Sequence, residues 1–385
     1  MQRTGGMHMA SSVQQKLYQP FIGFIQDSHP GGTHFMKKLA TTLAMILALG
    51  TLLAACSGGN NAEGGKDKPT ELVISTWGFA EDAMKKNLYE PFEKQYNVKI
   101  VTEIGNNTDR LNKIRQGSSK VDLIYLSDYY ALQGIEEGLF EKIDRKNIPN
   151  IDNLYDIAKA PLGQDYGPAH TVAQLGLVYN ADEVKEPVES WEDLWKPAFQ
   201  NKLALPNITI TTGPMLIDMA AKHGGSMDMA TDAAFKALQE INPGVVKYYS
   251  KSADLVNMFA QGEVVIAPMQ DTFYGSVSEA VPSAKFVTPK EGAYALLNTV
   301  NVVKGSKNKE LAEKFINWHL SQEVQQANAL DRVDSPTNKL VTLTEEQATG
   351  MTYGADVVEN LKTLDLRKVN QEMADWIDRW NREIE

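Results

Sequence analysis

The chain has a single cysteine, Cys56, which excludes any internal disulfide. Its 6 histidines are scattered, and neither His-Glu-x-x-His nor a Cys/His cluster occurs. Gly-x-Ser-x-Gly and Gly-x-x-x-x-Gly-Lys-Ser/Thr are absent too, so metal, serine-hydrolase and nucleotide chemistry have no motif to rest on. The longest greasy stretch, Leu39–Leu53, falls short of the about 20 residues a spanning helix needs. Basic residues are in deficit, 38 Lys and Arg against 49 Asp and Glu, which argues against nucleic acid or anionic lipid as a broad partner.

What is present begins with that cysteine. It closes Leu53-Ala54-Ala55-Cys56, after Met36-Lys37-Lys38 and the apolar run. A basic start, a short apolar core, small residues and then cysteine read as a lipoprotein signal over 36–55, with Cys56 as the lipidated residue. A cysteine buried behind an apolar strand is the other reading, and it does not account for the order of these segments. Residues 1–35 fit neither signal nor fold and read as an extension upstream of a start at Met36. Residues 56–68, rich in Gly, Asn and Lys, read as a flexible tether. The processed chain of 330 residues would lie outside the cytoplasm, held to a membrane by its lipid. Its loss of Arg3, Lys16, Lys37, Lys38 and Asp27 moves the formal net charge from −11 to −14. That length exceeds one comfortable core, so two domains are expected.

Along the chain, Leu72–Thr76, Val98–Ile104 and Val121–Leu126 read as strands. Met84, Leu88, Phe92 and Tyr96 recur at helical spacing between the first two, and Asp109–Gln116 and Tyr130–Glu137 read as further helices. This alternation predicts a mostly parallel α/β sheet, whose ligands sit beyond the carboxyl ends of strands. Later strands are expected at Ala173–Tyr179, Leu203–Leu205, Val264–Pro268 and Leu296–Val303, and helices at Met215–Lys222, Ala233–Ile241, Ala253–Ala260 and Glu310–Leu320. Ser190 and Asp193 have capping-box spacing. Val369, Met373, Trp376, Ile377, Trp380 and Ile384 form one apolar helical stripe.

Several pieces occur together in a characteristic order. They are Leu72–Trp77; Val121-Asp122-Leu123-Ile124-Tyr125 with Ser127-Asp128-Tyr129-Tyr130; Gly138-Leu139-Phe140-Glu141-Lys142-Ile143-Asp144; Ser190–Pro197; Gly262-Glu263-Val264; and Pro289-Lys290-Glu291-Gly292. In these the chain resembles the substrate-binding proteins of bacterial ABC importers, most closely the spermidine/putrescine branch. The resemblance implies an α/β, type II periplasmic-binding-protein fold with two lobes joined by a hinge. One lobe would span 69–174 plus 297–339, the other 175–296 plus 340–385, with crossovers near Ala173–Leu177 and Leu296–Thr299. It further implies no catalysis and no cofactor, a monomer that closes on a small-molecule ligand, and docking on an ABC permease in the membrane.

For the site, the resemblance implies a ligand-stacking aromatic at Trp77, where the other reading is a tryptophan closing the core. Ser127 and Tyr129 match a ligand-lining turn, against capping by Ser127 and packing by Tyr129. The polyamine branch clamps ammonium groups with carboxylates, yet Asn207 and Asn298 stand where acids are expected, and Ile208–Thr212, with Thr211, holds none. Gln270 and Leu296 replace two tryptophans. Asp271 is the carboxylate left nearby, with turn capping as its alternative. Arg367 stands where the branch has glutamine, so an anion-reading fork there competes with a solvated arginine. A polyamine-like solute leads, and a zwitterion, carboxylate or phosphonate is the rival. An extracellular glycoside hydrolase with paired carboxylates and a ligand-presenting sensor are the readings from other classes.

Overall fold

The computed structural model describes residues 69–385. Cys56, the signal segment 36–55, the extension 1–35 and the tether 56–68 lie outside the described residues. Nine strands form the sheet: β1 Thr70–Thr76, β2 Val98–Ile104, β3 Leu123–Ser127, β4 Ala169–Asn180, β5 Leu203–Pro206, β6 Val245–Tyr249, β7 Ile266–Gln270, β8 Ala284–Val287 and β9 Tyr294–Val302. Their order is β2-β1-β3-β9-β4-β7-β5-β6, with β8 paired to β4. β2, β1 and β3 are mutually parallel, as are β7, β5 and β6. β9 and β4 run antiparallel to their neighbours and join the two parallel groups.

Period-two alternation assigns the faces. In β1 and β3, Leu72, Ile74, Leu123 and Tyr125 enter one core with Leu88, Phe92, Phe315 and Ile316; Val73, Ile124 and Leu126 face another, with Leu111 and Phe140. In the other group Leu175, Leu177, Leu203 and Leu205 pack with Leu216, Phe235, Trp376 and Trp380, while Val178 and Ala204 pack with Tyr249 and Phe259. The outcome is two α/β/α lobes, each with apolar layers on both faces of its part of the sheet. The terminal stripe behaves as its spacing predicts: Val369, Trp376, Trp380 and Ile384 are buried, with Met373 and Ile377 packed beside them.

β4 and β9 are the long strands that pass between the lobes. β4 pairs with β9 through Ala169–Leu175 and with β7 from Leu175 onward, so it changes partner at Leu175. The stretch beyond Leu340 departs from the sequence reading. Val341 and Leu343 pack with Ala329, and Val358 joins the first core, before the helix Leu366–Glu383 reaches the second. The capping box at Ser190 forms as spaced: Ser190 Oγ accepts from the Glu192 N–H, and Asp193 accepts from the Ser190 N–H. Trp191 and Trp195 are structural; their indole N–H groups donate to the carbonyls of Gly292 and Ala237. Val245–Tyr249 and Ala284–Val287 are short edge segments without period-two burial, and pairing with β5 and β4 makes them strands. Among the described residues no helix is long and apolar enough to cross a membrane.

Candidate functional site

A cleft of about 860 Å³ lies where the carboxyl ends of β1, β3 and β7 converge on the crossover strands. From the first lobe β1 delivers Thr76 and Trp77, and β3 delivers Ser127. From the second come Thr211, before the helix Gly213–His223, and Gln270 at the end of β7. Asn298 stands on β9. Five of the nine sequence-predicted ligand residues, Trp77, Ser127, Thr211, Gln270 and Asn298, therefore share one cavity. Ser127 precedes the helix Asp128–Glu136 but makes no side-chain cap bond to it; its hydroxyl faces Asn107 Nδ2 at 3.5 Å.

The other four lie elsewhere. Tyr129 packs into the second core, edge-on to Tyr130 at 5.1 Å between ring centres. Asn207 forms a local turn, accepting from the Thr209 N–H at 3.0 Å and donating to Glu385 at 3.2 Å. Asp271 is buried and accepts from the Gln174 N–H at 3.3 Å and from the Thr352 hydroxyl, clamping the crossover of β4 to the C-terminal segment. Burial pushes its carboxyl up to about 6 against these stabilising bonds. Arg367 is exposed in the first turn of the last helix, outside the cleft lining.

Sequence reasoning passed over several groups. Arg110, 1% exposed, lies beneath Trp77 with its guanidinium carbon 4.6 Å from the ring centre. It donates to the carbonyls of Gly105 (2.9 Å), Ser75 (3.1 Å) and Tyr125 and to Asn107 Oδ1 (3.1 Å), tying together the ends of β1 and β3. Burial lowers its pKa to about 10, so it keeps its charge at neutral pH. The signal was its neighbour Leu111: Arg110 shares the inward side of the helix Asn107–Arg115. Asp334, Glu279 and Arg332 also line the cleft. Arg332 is engaged by the carbonyls of Thr349 and Glu346. Among the described residues neither Asp334 nor Glu279 has a Lys or Arg partner within ion-pair distance. Arg332 and Asp334 stand in a loop and Glu279 on the short helix Tyr274–Ala280, so no long periodic pattern singles them out.

Behind this wall Tyr125, His170 and His319 cluster. The Tyr125 hydroxyl lies 2.7 Å from His319 Nδ1, and the two imidazole centres are 4.7 Å apart. Burial holds both histidines far below their usual pKa, His319 at about 3, so both are neutral. Burial pushes Asp334 up to about 7, opposed by a hydrogen bond from Thr171. Both ring nitrogens of His170, which is 5% exposed, lack a hydrogen-bond partner among the described residues. Such a group costs on the order of 1–3 kcal/mol when nothing satisfies it.

Two α/β lobes joined by long crossover strands, with a polar cleft between them, make a receptor that encloses a small solute. The comparisons specify the class. The chain belongs to the bacterial extracellular solute-binding protein family, whose match covers residues 87–353. It is 45% identical to an ABC transporter structure from Clostridium perfringens, with a TM-score of 0.76, covering 82% of this chain and 100% of that one. It is 26% identical over 323 residues to the putrescine-binding periplasmic protein SpuD of Pseudomonas aeruginosa, spanning 78% of this chain and 85% of the relative. Against the spermidine/putrescine-binding periplasmic protein of Escherichia coli K12 the identity is 28% over 316 residues, 79% of this chain and 86% of that. The protein is thus a solute-binding component of an ABC importer and not an enzyme.

Proposed function

We propose that this protein captures a small amine-bearing solute outside the cytoplasm and hands it to an ABC permease. Cys56 carries the lipid that keeps it at the membrane. The lobes are 69–174 plus 297–339 and 175–296 plus the helix Leu366–Glu383, and they close about the crossovers of β4 and β9 as a hinge. Closure is a shift toward the state the ligand prefers. The observation that carries the ligand class is Asp334: a cleft carboxyl with no Lys or Arg partner among the described residues, in the same cavity as an indole face. A desolvated ammonium needs such an anion. The relatives' names point the same way: one is a putrescine-binding and the other a spermidine/putrescine-binding periplasmic protein.

A second reading has its own support. Arg110 places a fixed positive charge behind Trp77, and Arg332 stands in the lining. Both favour a solute that also carries an acidic group, a zwitterion, over a polyamine with a cation at each end. Thr211 and Asn298 supply neutral donors for that end.

The test is a thermal-shift and calorimetric panel of polyamines, zwitterionic amino acids, carboxylates and phosphonates. A ligand at a hundred times its Kd adds about 2.7 kcal/mol to stability. An amine-bearing member should raise Tm and bind one-to-one, and Asp334→Asn should abolish this. Binding of an amine-free carboxylate or phosphonate, undiminished by that substitution, refutes the amine reading.

A further inference from the structure

The three histidines of the described chain fall far apart in sequence, yet the fold brings two of them to one carboxyl. His170 sits near the start of β4, His319 ends the helix Lys309–His319, and Asp334 follows the helix Gln322–Leu330. His170 Nδ1 is 4.0 Å from Asp334 Oδ2, and one ligating atom from each of the three can be chosen so that all lie within 4.8 Å of one another. We propose that His170, His319 and Asp334 form a divalent transition-metal site, of the zinc class, at the floor of the cleft. This goes beyond solute capture and shares one residue with it, Asp334.

The donor set is a borderline one. Two imidazoles and a carboxylate suit zinc and its neighbours, whereas calcium and magnesium require oxygen shells. Tetrahedral coordination by a metal about 2.0–2.1 Å from each ligand sets ligand separations of about 3.4 Å, so a cluster whose ligating atoms lie within 4.8 Å of one another must contract by up to about 1.4 Å. Asp334, whose side chain is 25% exposed and stands in a loop, supplies its share of that movement, and rotation of the two packed imidazoles about their ring torsions supplies the rest. Tyr125 engages Nδ1 of His319 and leaves Nε2 to bind. A hydrogen bond to the far nitrogen is what orients a metal-bound imidazole.

The independent sign is His170. A ring 95% withdrawn from solvent with neither nitrogen partnered is poor design for a core, where an apolar residue would do better. It is well suited to an ion that approaches from the cleft, which His170 and Asp334 both line. Tyr125, Thr171 and Ser335 line the same region, so the coordination positions the protein leaves free open toward the solute cavity. A metal there and an ammonium group compete for one carboxylate, and the two histidines serve the metal alone.

Chelator-treated protein is titrated with zinc chloride by calorimetry and with cobalt(II) by visible absorption. One equivalent should bind, with tetrahedral cobalt bands, and calcium chloride should give no saturable binding. His319→Gln and His170→Asn should each weaken zinc by about tenfold or more. His319→Gln should leave the affinity for the amine identified by the panel within about twofold, whereas zinc should raise the apparent Kd of that amine in the parent protein. Absence of saturable zinc binding, or zinc binding unchanged in both histidine variants, overturns the site. If no amine binds but zinc binds through both histidines, the solute reading fails and the metal site stands.

Discussion

Replacing Arg110 with methionine tests the physical basis of the cleft wall. The thioether keeps the stem's apolar bulk and removes the guanidinium. Four acceptors lose their donor, among them the buried Ser75 and Tyr125 carbonyls at the ends of β1 and β3. Bonds from a charged donor contribute about 1.5 kcal/mol each at the low end, about 6 kcal/mol together. Against this, the substitution relieves the burial of a cation. The lowering of its pKa to about 10 corresponds to about 3 kcal/mol of desolvation. The net expected loss is about 3 kcal/mol. Arg110→Lys should fall between, because an ammonium retains the charge but cannot span the same acceptors. Urea unfolding followed by far-UV circular dichroism gives both values. A loss below about 1 kcal/mol for Arg110→Met would falsify the assignment of the wall's cohesion to this fork.

Trp77→Ala should weaken solute binding by roughly 1–3 kcal/mol with cooperative unfolding retained; unchanged affinity returns the ring to a core role. Arg367→Gln should leave affinity within about twofold for cationic and anionic solutes alike, since Arg367 lies outside the cleft lining, and a calorimetric loss for an anion contradicts that placement. Asp271 has a carboxyl raised to about 6 in the fold, with no charged group among the causes. The folded state then holds more protons than the unfolded one between about pH 4 and 6, so this group's contribution to stability falls as pH rises through that window, by up to about 3 kcal/mol. Asp271→Asn should therefore gain on the parent as pH climbs from 4 to 7.5, and a pH-independent Tm difference would refute the assignment. Gly167→Ala should cost more than about 3 kcal/mol, because a Cβ there would stand 1.6 Å from the Val300 carbonyl oxygen; near-parental stability in thermal unfolding rules out that close approach.

The sequence by itself determined the class of this protein. Strand runs such as Leu72–Thr76 and Val98–Ile104 and the stripe from Val369 to Ile384 are local patterns with a period, and period is set by backbone geometry. The ordered family pieces led to a two-lobed solute receptor, and the matches at Trp77 and Ser127 led to its cleft. The tertiary structure decided which side chains meet. Asn207, Asp271 and Arg367 hold plausible chemistry in sequence, but turn and hinge geometry spend the hydrogen bonds of the first two elsewhere, and Arg367 stands exposed outside the cleft lining. Arg110 came beneath Trp77, and His170, His319 and Asp334 came together, through the packing of segments up to 164 residues apart in the chain, as the Thr171–Ser335 bond across the same crossover shows. No spacing rule encodes such contacts, because they depend on how helices and strands with independent local periods stack around a shared core.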